Sequence, residues 1–155
     1  GKAHALHMPA LEHDPSRPRV EVFEGPWDGM AYWEVARRSK RGSDGRLEFT
    51  GNPSVSIIAD AIVLARPGCN VWREEWTELC RGKDVTIFDD NDHPREYPED
   101  SGQYTMAGTD GARRVAGLLA GVAASVRFMR WGEDGYDADL VSGFDTRDWL
   151  TKGVA

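Results

Sequence analysis

The chain has 155 residues, 40% of them hydrophobic and 29% charged, with a formal net charge of −7 at pH 7. This length and composition are typical of one globular domain with a buried core, and the negative charge argues against a broad basic surface for nucleic acid. No apolar run approaches the ~20 residues of a membrane span and no signal peptide is visible, so we expect a cytoplasmic protein with no membrane partner.

The two cysteines, Cys69 and Cys80, belong to no Cys-x-x-Cys pair. This spacing excludes a zinc ribbon and favours two free thiols over a disulfide. Residues 1–18 are polar and contain prolines, so we expect a flexible N-terminal segment followed by one domain over residues 19–155. Histidines at positions 4, 7 and 13 fit either a metal cluster or a frayed terminus, and the uncapped start suggests a domain cut from a longer polypeptide.

The first acidic turn follows a short strand. Residues 20–23 predict that strand, Glu24 stands at its end, and Gly25 and Pro26 turn the chain. Asp28 then begins a predicted helix that continues to Ala36, because an acid is favoured at a helix N-terminus.

A basic, glycine-bearing link follows over residues 37–46 and contains Arg38, Lys40, Arg41 and Arg46. It is either a solvated surface loop or a strip that contacts phosphate backbones. Residues 39–59 are interpreted as an insertion that carries a short strand or helix.

A second strand is predicted over residues 60–65, ended by the turn that begins at Arg66. The following segment, residues 72–79, predicts a short helix with Trp72, Trp76 and Leu79 on one face. Packing in the core is favoured for these aromatic residues over a platform for stacking bases.

The strand predicted over residues 84–88 ends in Asp89, Asp90 and Asp92, and His93-Pro94 prevents its continuation. Carboxylates crowded at the end of a buried strand repel one another and lose hydration, so they require a compensating cation. Asp90 and Asp92 are two residues apart, which in an extended chain directs both side chains to one side. These features predict a divalent-metal site, most naturally for magnesium; the alternative is a solvated acidic loop.

The remainder of the chain supplies a long loop over residues 94–108, a candidate substrate loop, and a helix over residues 111–120 with Asp110 as its cap. Residues 123–129 predict a fourth strand, and an acidic loop over residues 132–143 is interpreted as solvated rather than metal-binding. A short helix over residues 146–152 begins near Asp145 and Asp148.

Strand and helix thus alternate four times, which predicts an α/β fold with a Rossmann-like central parallel sheet of about four strands and helices on both faces. In such a sheet the strand ends that carry Glu24, Asp90 and Asp92 lie along one edge, where open α/β folds place their sites. We therefore expect these three carboxylates to converge.

The ordered motifs resemble those of the Toprim domain. Residues 23–28 (Phe-Glu-Gly-Pro-Trp-Asp) are similar to its Glu-Gly-x-x-Asp motif, and residues 87–92 (Ile-Phe-Asp-Asp-Asn-Asp) to its hydrophobic-Asp-x-Asp motif. A Gly-bearing segment over residues 62–70 and the terminal Asp-x-x-Asp-Trp-Leu over residues 145–150 complete a resemblance to DnaG-type and phage primase-like proteins.

The resemblance implies Mg²⁺- or Mn²⁺-dependent nucleotidyl transfer in bacterial or phage DNA replication. It implies that Glu24 is the general base or metal-proximal acid, that Asp90 and Asp92 hold the ion, and that Asp28, Asp145 and Asp148 are further acids of the metal site. The implied partners are a single-stranded DNA template, nucleotides and other replication proteins, such as a zinc-binding module or a helicase.

Two alternatives remain open. A Toprim nuclease uses the same carboxylates to activate water instead of a primer hydroxyl, and a non-catalytic replisome module retains the fold with a degenerate metal site. The basic template-binding region and zinc module that accompany primases of this type are not evident, and the insertion over residues 39–51 departs from the family pattern.

Overall fold

The computed structural model describes residues 14–43, 47–52 and 56–152. Strands and helices alternate along them, with two short hairpins added to the alternation. In chain order the elements are β1 (Arg19–Phe23), α1 (Pro26–Ala36), β2 (Ser39–Arg41), β3 (Leu47–Phe49), β4 (Ala61–Ala65), α2 (Glu74–Leu79), β5 (Asp84–Phe88), β6 (Arg95–Glu96), β7 (Tyr104–Thr105), α3 (Ala107–Leu119), β8 (Ser125–Met129) and α4 (Thr146–Lys152).

A four-stranded, all-parallel sheet in the order β4-β1-β5-β8 forms the centre of the fold. Phe23 at the end of β1 lies level with Ala65 of β4 and Phe88 of β5, and Phe88 lies level with Met129 of β8. All four strands therefore end at the same edge, which we call the carboxyl edge. The predicted α/β fold with a parallel sheet of about four strands is confirmed.

Alternation of side chains along the strands builds one core on each face of the sheet. On the first face Val20, Val22 and Ile87 pack with Trp76 of α2 and with residues of α3. On the other face Phe23, Val63 and their neighbours pack against α1, with Leu150 of α4 at the margin. The helices therefore cover both faces, and the prediction that Trp76 belongs to the core is confirmed.

Two sequence predictions are wrong in their boundaries. Helix α3 begins at Ala107 with Met106 as its N-cap, so Asp110 lies in the first turn and is not the cap. Its carboxylate instead accepts hydrogen bonds from the Thr105 hydroxyl (2.7 Å) and the Met106 N–H (3.2 Å). The predicted loop over residues 94–108 contains the antiparallel hairpin β6–β7 and the first residues of this helix.

The insertion after α1 forms an antiparallel hairpin in which Ser39 of β2 pairs with Phe49 of β3. Two residues of the predicted N-terminal segment, Pro15 and Arg17, are held at the start of the sheet. Their carbonyls accept hydrogen bonds from Lys83 Nζ at 2.6 Å and 2.7 Å. Residues 1–13, with the three histidines, lie outside the described residues.

Both cysteines are free thiols, with Cys80 buried and Cys69 half-buried. In the described part of the chain, no helix is long and apolar enough to cross a membrane.

Candidate functional site

The carboxyl edge of the sheet carries a charged residue after each of its three adjacent strands β4, β1 and β5. Glu24 follows β1, Arg66 follows β4, and Asp89, Asp90 and Asp92 follow β5. Short apolar strands of equal length and matched register place these residues side by side. The first turn of α3 lies over them.

Glu24, Asp90 and Asp92 are brought together at this edge. The backbone N–H of Asp90 lies beside the Glu24 carboxylate and lowers its pKa. A Cβ atom built on Gly108 of α3 would lie 2.7 Å from Glu24 Oε2 and 3.2 Å from Asp92 Oδ2, so these two oxygens lie within about 6 Å of each other. The backbone N–H of Gly108 also donates to Asp92 Oδ2 at 2.6 Å. Glycine is required at this position because any side chain would displace the carboxylates.

A second pair of acids, Asp28 and Asp145, joins the first set because α1 packs against α4. Asp28 lies in the first turn of α1, and its carboxyl group lies beside that of Asp145, which immediately precedes α4. Asp145 also accepts from the backbone N–H of Asp148 (2.7 Å) and from Arg147 Nη2 (2.8 Å). Asp145 therefore caps α4 as well as facing Asp28, and Asp148 is half-buried in the first turn of that helix.

The electrostatics show that these acids form one cluster, which we call the acidic cluster: Glu24, Asp28, Asp90, Asp92 and Asp145. Burial, and then the charges of the other four members, raise the pKa of Asp90 to about 8. Burial and the Asp145 charge raise the pKa of Asp28 to about 6. The pKa of Glu24 is raised by burial, an effect that the Arg66 guanidinium opposes. Crowded carboxylates with raised pKa values are a site that a cation would stabilise.

Two buried carboxylate oxygens of the acidic cluster, Glu24 Oε2 and Asp28 Oδ1, lack a hydrogen-bond partner. An unpaired buried acceptor costs about 1–3 kcal/mol, so its persistence calls for a ligand. Oxygen-only donors are those that Mg²⁺ and Mn²⁺ prefer. The chemistry of the acidic cluster therefore fits a hard divalent cation.

Across the described ranges, no group of three or more His, Cys, Asp or Glu side chains is arranged so that it could hold a metal ion as it stands. Two oxygens that share one Mg²⁺ at ~2.1 Å lie no more than ~4.2 Å apart. Asp92 Oδ2 is held by the Gly108 N–H, and like charges favour wider spacing among the carboxylates. Binding would therefore require small side-chain rotations within the acidic cluster.

Sequence reasoning did not identify Arg66 as a functional residue. Its side chain is fully buried beside Glu24 and Asp89, and Nη1 donates to the Cys69 carbonyl at 2.9 Å. Its Nε and Nη2 atoms are buried without a hydrogen-bond partner. Burial lowers the pKa of Arg66, but a guanidinium remains charged, so Arg66 supplies an internal positive charge against the acidic cluster. The sequence feature that could have identified Arg66 is its position directly after β4, because it lies level with Glu24, which directly follows β1.

Asn91, also not identified from the sequence, connects the site to the predicted acidic loop. Its side chain is fully buried; Oδ1 accepts from the Asp137 N–H (2.7 Å), and Nδ2 donates to the carbonyls of Asp137 (3.0 Å) and Val141 (3.2 Å). The segment over residues 132–143 is therefore fixed beside the acidic cluster by its backbone. Its acids Glu133, Asp134 and Asp139 are exposed, which agrees with the solvated interpretation.

The predicted phosphate-contacting strip is not brought to the acidic cluster. Helix α1 has 11 residues, about 16 Å, and leads from the carboxyl edge to the opposite end of the sheet. There Arg38 pairs with Glu34 at 3.2 Å and Lys40 with Glu48 at 2.8 Å. Arg41 lies in β2 and its charge acts on the buried Glu21, while Arg46 lies outside the described residues.

The hairpin β6–β7, within the predicted substrate loop, joins Asp92 to the first turn of α3. It thus leaves and re-enters the fold at the acidic cluster. Tyr97 and Tyr104 on this hairpin are exposed, at 64% and 69%. Its position is the one expected of a loop that contacts a substrate.

No family model, no curated protein and no solved structure matches this chain.

Proposed function

We propose that this chain is the catalytic domain of a Toprim-type, primase-like cytoplasmic protein that carries out Mg²⁺-dependent nucleotidyl transfer on a DNA template. The observation that carries the proposal is the pair of unpartnered buried oxygens, Glu24 Oε2 and Asp28 Oδ1, within a cluster of five carboxylates at the carboxyl edge. The order of motifs along the chain, which resembles that of Toprim domains, supports the same reaction.

The residues of the acidic cluster have distinct parts in this proposal. Asp90 and Asp92 would hold the ion, with Asp28, Asp145 and Asp148 as further acids that ligate it or hold its water. The chemistry that a Mg²⁺ ion held by these residues would supply is neutralisation of the phosphate charge during the transfer. Asp90 must lose its proton to ligate a cation, so ion binding should release protons below pH 8.

Glu24 is the proposed general base for the primer 3′ hydroxyl. Burial raises its pKa, which makes its carboxylate a better proton acceptor than an exposed glutamate. The buried charge of Arg66 opposes that shift and keeps enough of the carboxylate ionised to act. The backbone N–H of Asp90 lies beside the Glu24 carboxylate, so the proposed metal ligand and the proposed base are neighbours.

The basic strip is proposed to contact the template at a distance from the reaction. The ~16 Å length of α1 corresponds to about five nucleotides at ~3.4 Å each, so a template strand could reach both the strip and the acidic cluster. Arg38 and Lys40 are already paired with glutamates, which reduces the charge available for phosphates. We therefore propose that other replication domains, such as a zinc-binding module or a helicase, supply much of the grip on the template.

The test supplies single-stranded DNA, ribonucleotides and Mg²⁺ or Mn²⁺ at low salt and measures diribonucleotide formation. The same reactions, with labelled DNA, measure strand cleavage. We expect template-dependent diribonucleotide formation that is lost in Glu24→Gln and retained in Glu74→Gln, which removes an equal charge at an exposed position of α2. Cleavage that depends on Glu24 without synthesis would indicate the nuclease alternative, and neither product with either ion would contradict the proposal.

A further inference from the structure

A cavity of about 210 Å³ lies between the end of β8, the segment that follows it and α4. Its walls are largely apolar and aromatic, formed by Phe88, Met129, Trp131, Leu140 and Trp149, with Arg130 beside them. We call it the tryptophan cavity. Met129 is 46% exposed and Arg130 is exposed, so the cavity opens to the surface.

The tryptophan cavity shares its inner wall with the acidic cluster. Asp89 and Thr146 line it, and each is the direct chain neighbour of a cluster member, Asp90 and Asp145. Consecutive Cα atoms are ~3.8 Å apart, so adjacent residues of the same two segments form the cavity wall and the acidic cluster. A molecule held by a cation at the acidic cluster could therefore place a second group in the cavity.

The cavity is already shaped before any ligand enters. The Trp131 indole N–H donates to the Asp89 carbonyl at 2.7 Å, and its ring packs edge-on against Phe144 with centroids 5.5 Å apart. These two contacts fix the orientation of the ring. A binding site whose walls are already ordered loses little conformational entropy when its ligand binds.

The size of the cavity limits its occupant to one small ring system. A cavity of about 150 Å³ in another protein encloses benzene, whereas drug-sized ligands need about 300–1,000 Å³. A volume of about 210 Å³ therefore suits a flat heterocycle but not a larger ligand. Aromatic walls bind such a ring by stacking, which tolerates every base because each has a π-face.

A nucleotide joins a flat ring to a polyphosphate, and this edge of the molecule offers an aromatic cavity beside a cluster suited to a cation. We propose that the tryptophan cavity binds the base of the nucleoside triphosphate whose phosphates meet the acidic cluster. This inference rests on the proposed function, because the cation and phosphates set the position of the base. An unpaired base of the template strand has the same ring chemistry, so the experiment must separate the two sources.

The experiment measures binding by calorimetry in Mn²⁺ with two probes, ATP and ribose 5-triphosphate, which lacks the base. We expect ATP to bind about 5- to 150-fold more tightly, the effect of stacking one base on aromatic side chains. Trp149→Ala should remove this advantage and leave the affinity for ribose 5-triphosphate unchanged. Trp149→Phe, which keeps an aromatic ring, should retain most of it.

A second variant protects the test from a folding defect, since Trp149 is half-buried in α4. Leu140→Trp adds volume inside the cavity without removing a wall, and it should also abolish the advantage of ATP. Equal affinity of the wild-type protein for the two probes, or an equal loss of both in these variants, would overturn the inference while leaving the proposed function intact. The proposed function itself fails if neither probe binds in a Mn²⁺-dependent manner.

The last arm uses an oligothymidylate strand without nucleotide. We expect Trp149→Ala to leave its affinity unchanged. If Trp149→Ala instead bound oligothymidylate more weakly and bound ATP as the wild type does, the cavity would be assigned to a template base and the inference for the nucleotide would be overturned.

Discussion

Replacing Asp90 by asparagine tests the electrostatics of the acidic cluster without a change of shape. Burial and four neighbouring carboxylates raise the pKa of Asp90 from 3.8 to about 8. The folded protein therefore binds this proton more tightly than the unfolded chain, and between pH 4 and 8 its free energy of unfolding falls as pH rises. At pH 7 the part of this shift that lies between pH 3.8 and pH 7 would amount to ~4 kcal/mol at 1.36 kcal/mol per pKa unit. Because Asp90 is only half-buried and water screens its charge, we expect about 1–3 kcal/mol.

Asp90→Asn removes this titration, so without metal it should be more stable than the wild type by about 1–3 kcal/mol at pH 7 and equal to it near pH 4. Urea unfolding over a pH series measures the difference. Mg²⁺ at 100 times its dissociation constant should cancel most of this difference or reverse it, since it stabilises the wild type by ~2.7 kcal/mol and the variant much less.

Asp139→Asn is the matched control, because Asp139 is an exposed acid and its loss should change stability by no more than about 0.5 kcal/mol at any pH. A loss of more than 1 kcal/mol in metal-free Asp90→Asn at pH 7 would refute the reasoning. It would show that Asp90 stabilises the fold through hydrogen bonds rather than opposing it through charge.

Three further perturbations address the surroundings of the acidic cluster. Gly108→Ala should weaken Mn²⁺ binding at least tenfold while leaving the fold intact, because its Cβ would lie 2.7 Å from Glu24 Oε2. The control is Gly117→Ala in the same helix, whose Cβ would meet no atom within 4 Å and which should only raise the free energy of unfolding, by about 1 kcal/mol. Arg66→Met should lower the free energy of unfolding, measured in urea, by about 3–5 kcal/mol, because it leaves buried carboxylates without a compensating charge. A loss under 1 kcal/mol, as expected of exposed Arg113→Met, would show that Arg66 does not compensate these carboxylates. The affinity for a template strand, measured by fluorescence anisotropy, should be weak, and log K should fall with log salt concentration at a slope of about −0.7 per phosphate contacted. Tight, salt-resistant binding would contradict the interpretation that ion pairs partly neutralise the basic strip.

The central sheet was predictable because its strands are short apolar runs bounded by glycine, proline and acids. The same alternation predicted that acids following β1 and β5 would lie on one edge, and the structure places Glu24, Asp90 and Asp92 there. The parallel register, which no local pattern encodes, determines which residues of adjacent strands lie level.

The first turn of α3 was not predictable from local propensity. Glycine is a poor helix former, and the sequence pattern predicts a loop to Gly108 and a helix that begins only at Gly111. Tertiary contacts explain both glycines: Gly108 faces Glu24 and Asp92, and a Cβ on Gly111 would lie 2.5 Å from the Cys69 carbonyl oxygen. Helix packing against the site therefore outweighs the intrinsic cost of glycine.

The burial of Arg66 could not be predicted from the sequence for a different reason. The sequence shows an arginine before Pro67, and nothing local distinguishes a solvated guanidinium from a buried one. Only the adjacency of β4 and β1 places it level with Glu24, where its charge compensates the carboxylates. The balance of charge at a site depends on strand order, which the sequence pattern did not specify.

Mn²⁺ binding followed by electron paramagnetic resonance tests most directly whether the acidic cluster is a metal site. The wild-type chain should bind Mn²⁺, with Asp90→Asn at least tenfold weaker and exposed Asp139→Asn unchanged. No bound Mn²⁺ at millimolar Mn²⁺, or equal affinity in Asp90→Asn and the wild type, would contradict the assignment of this edge as a metal site.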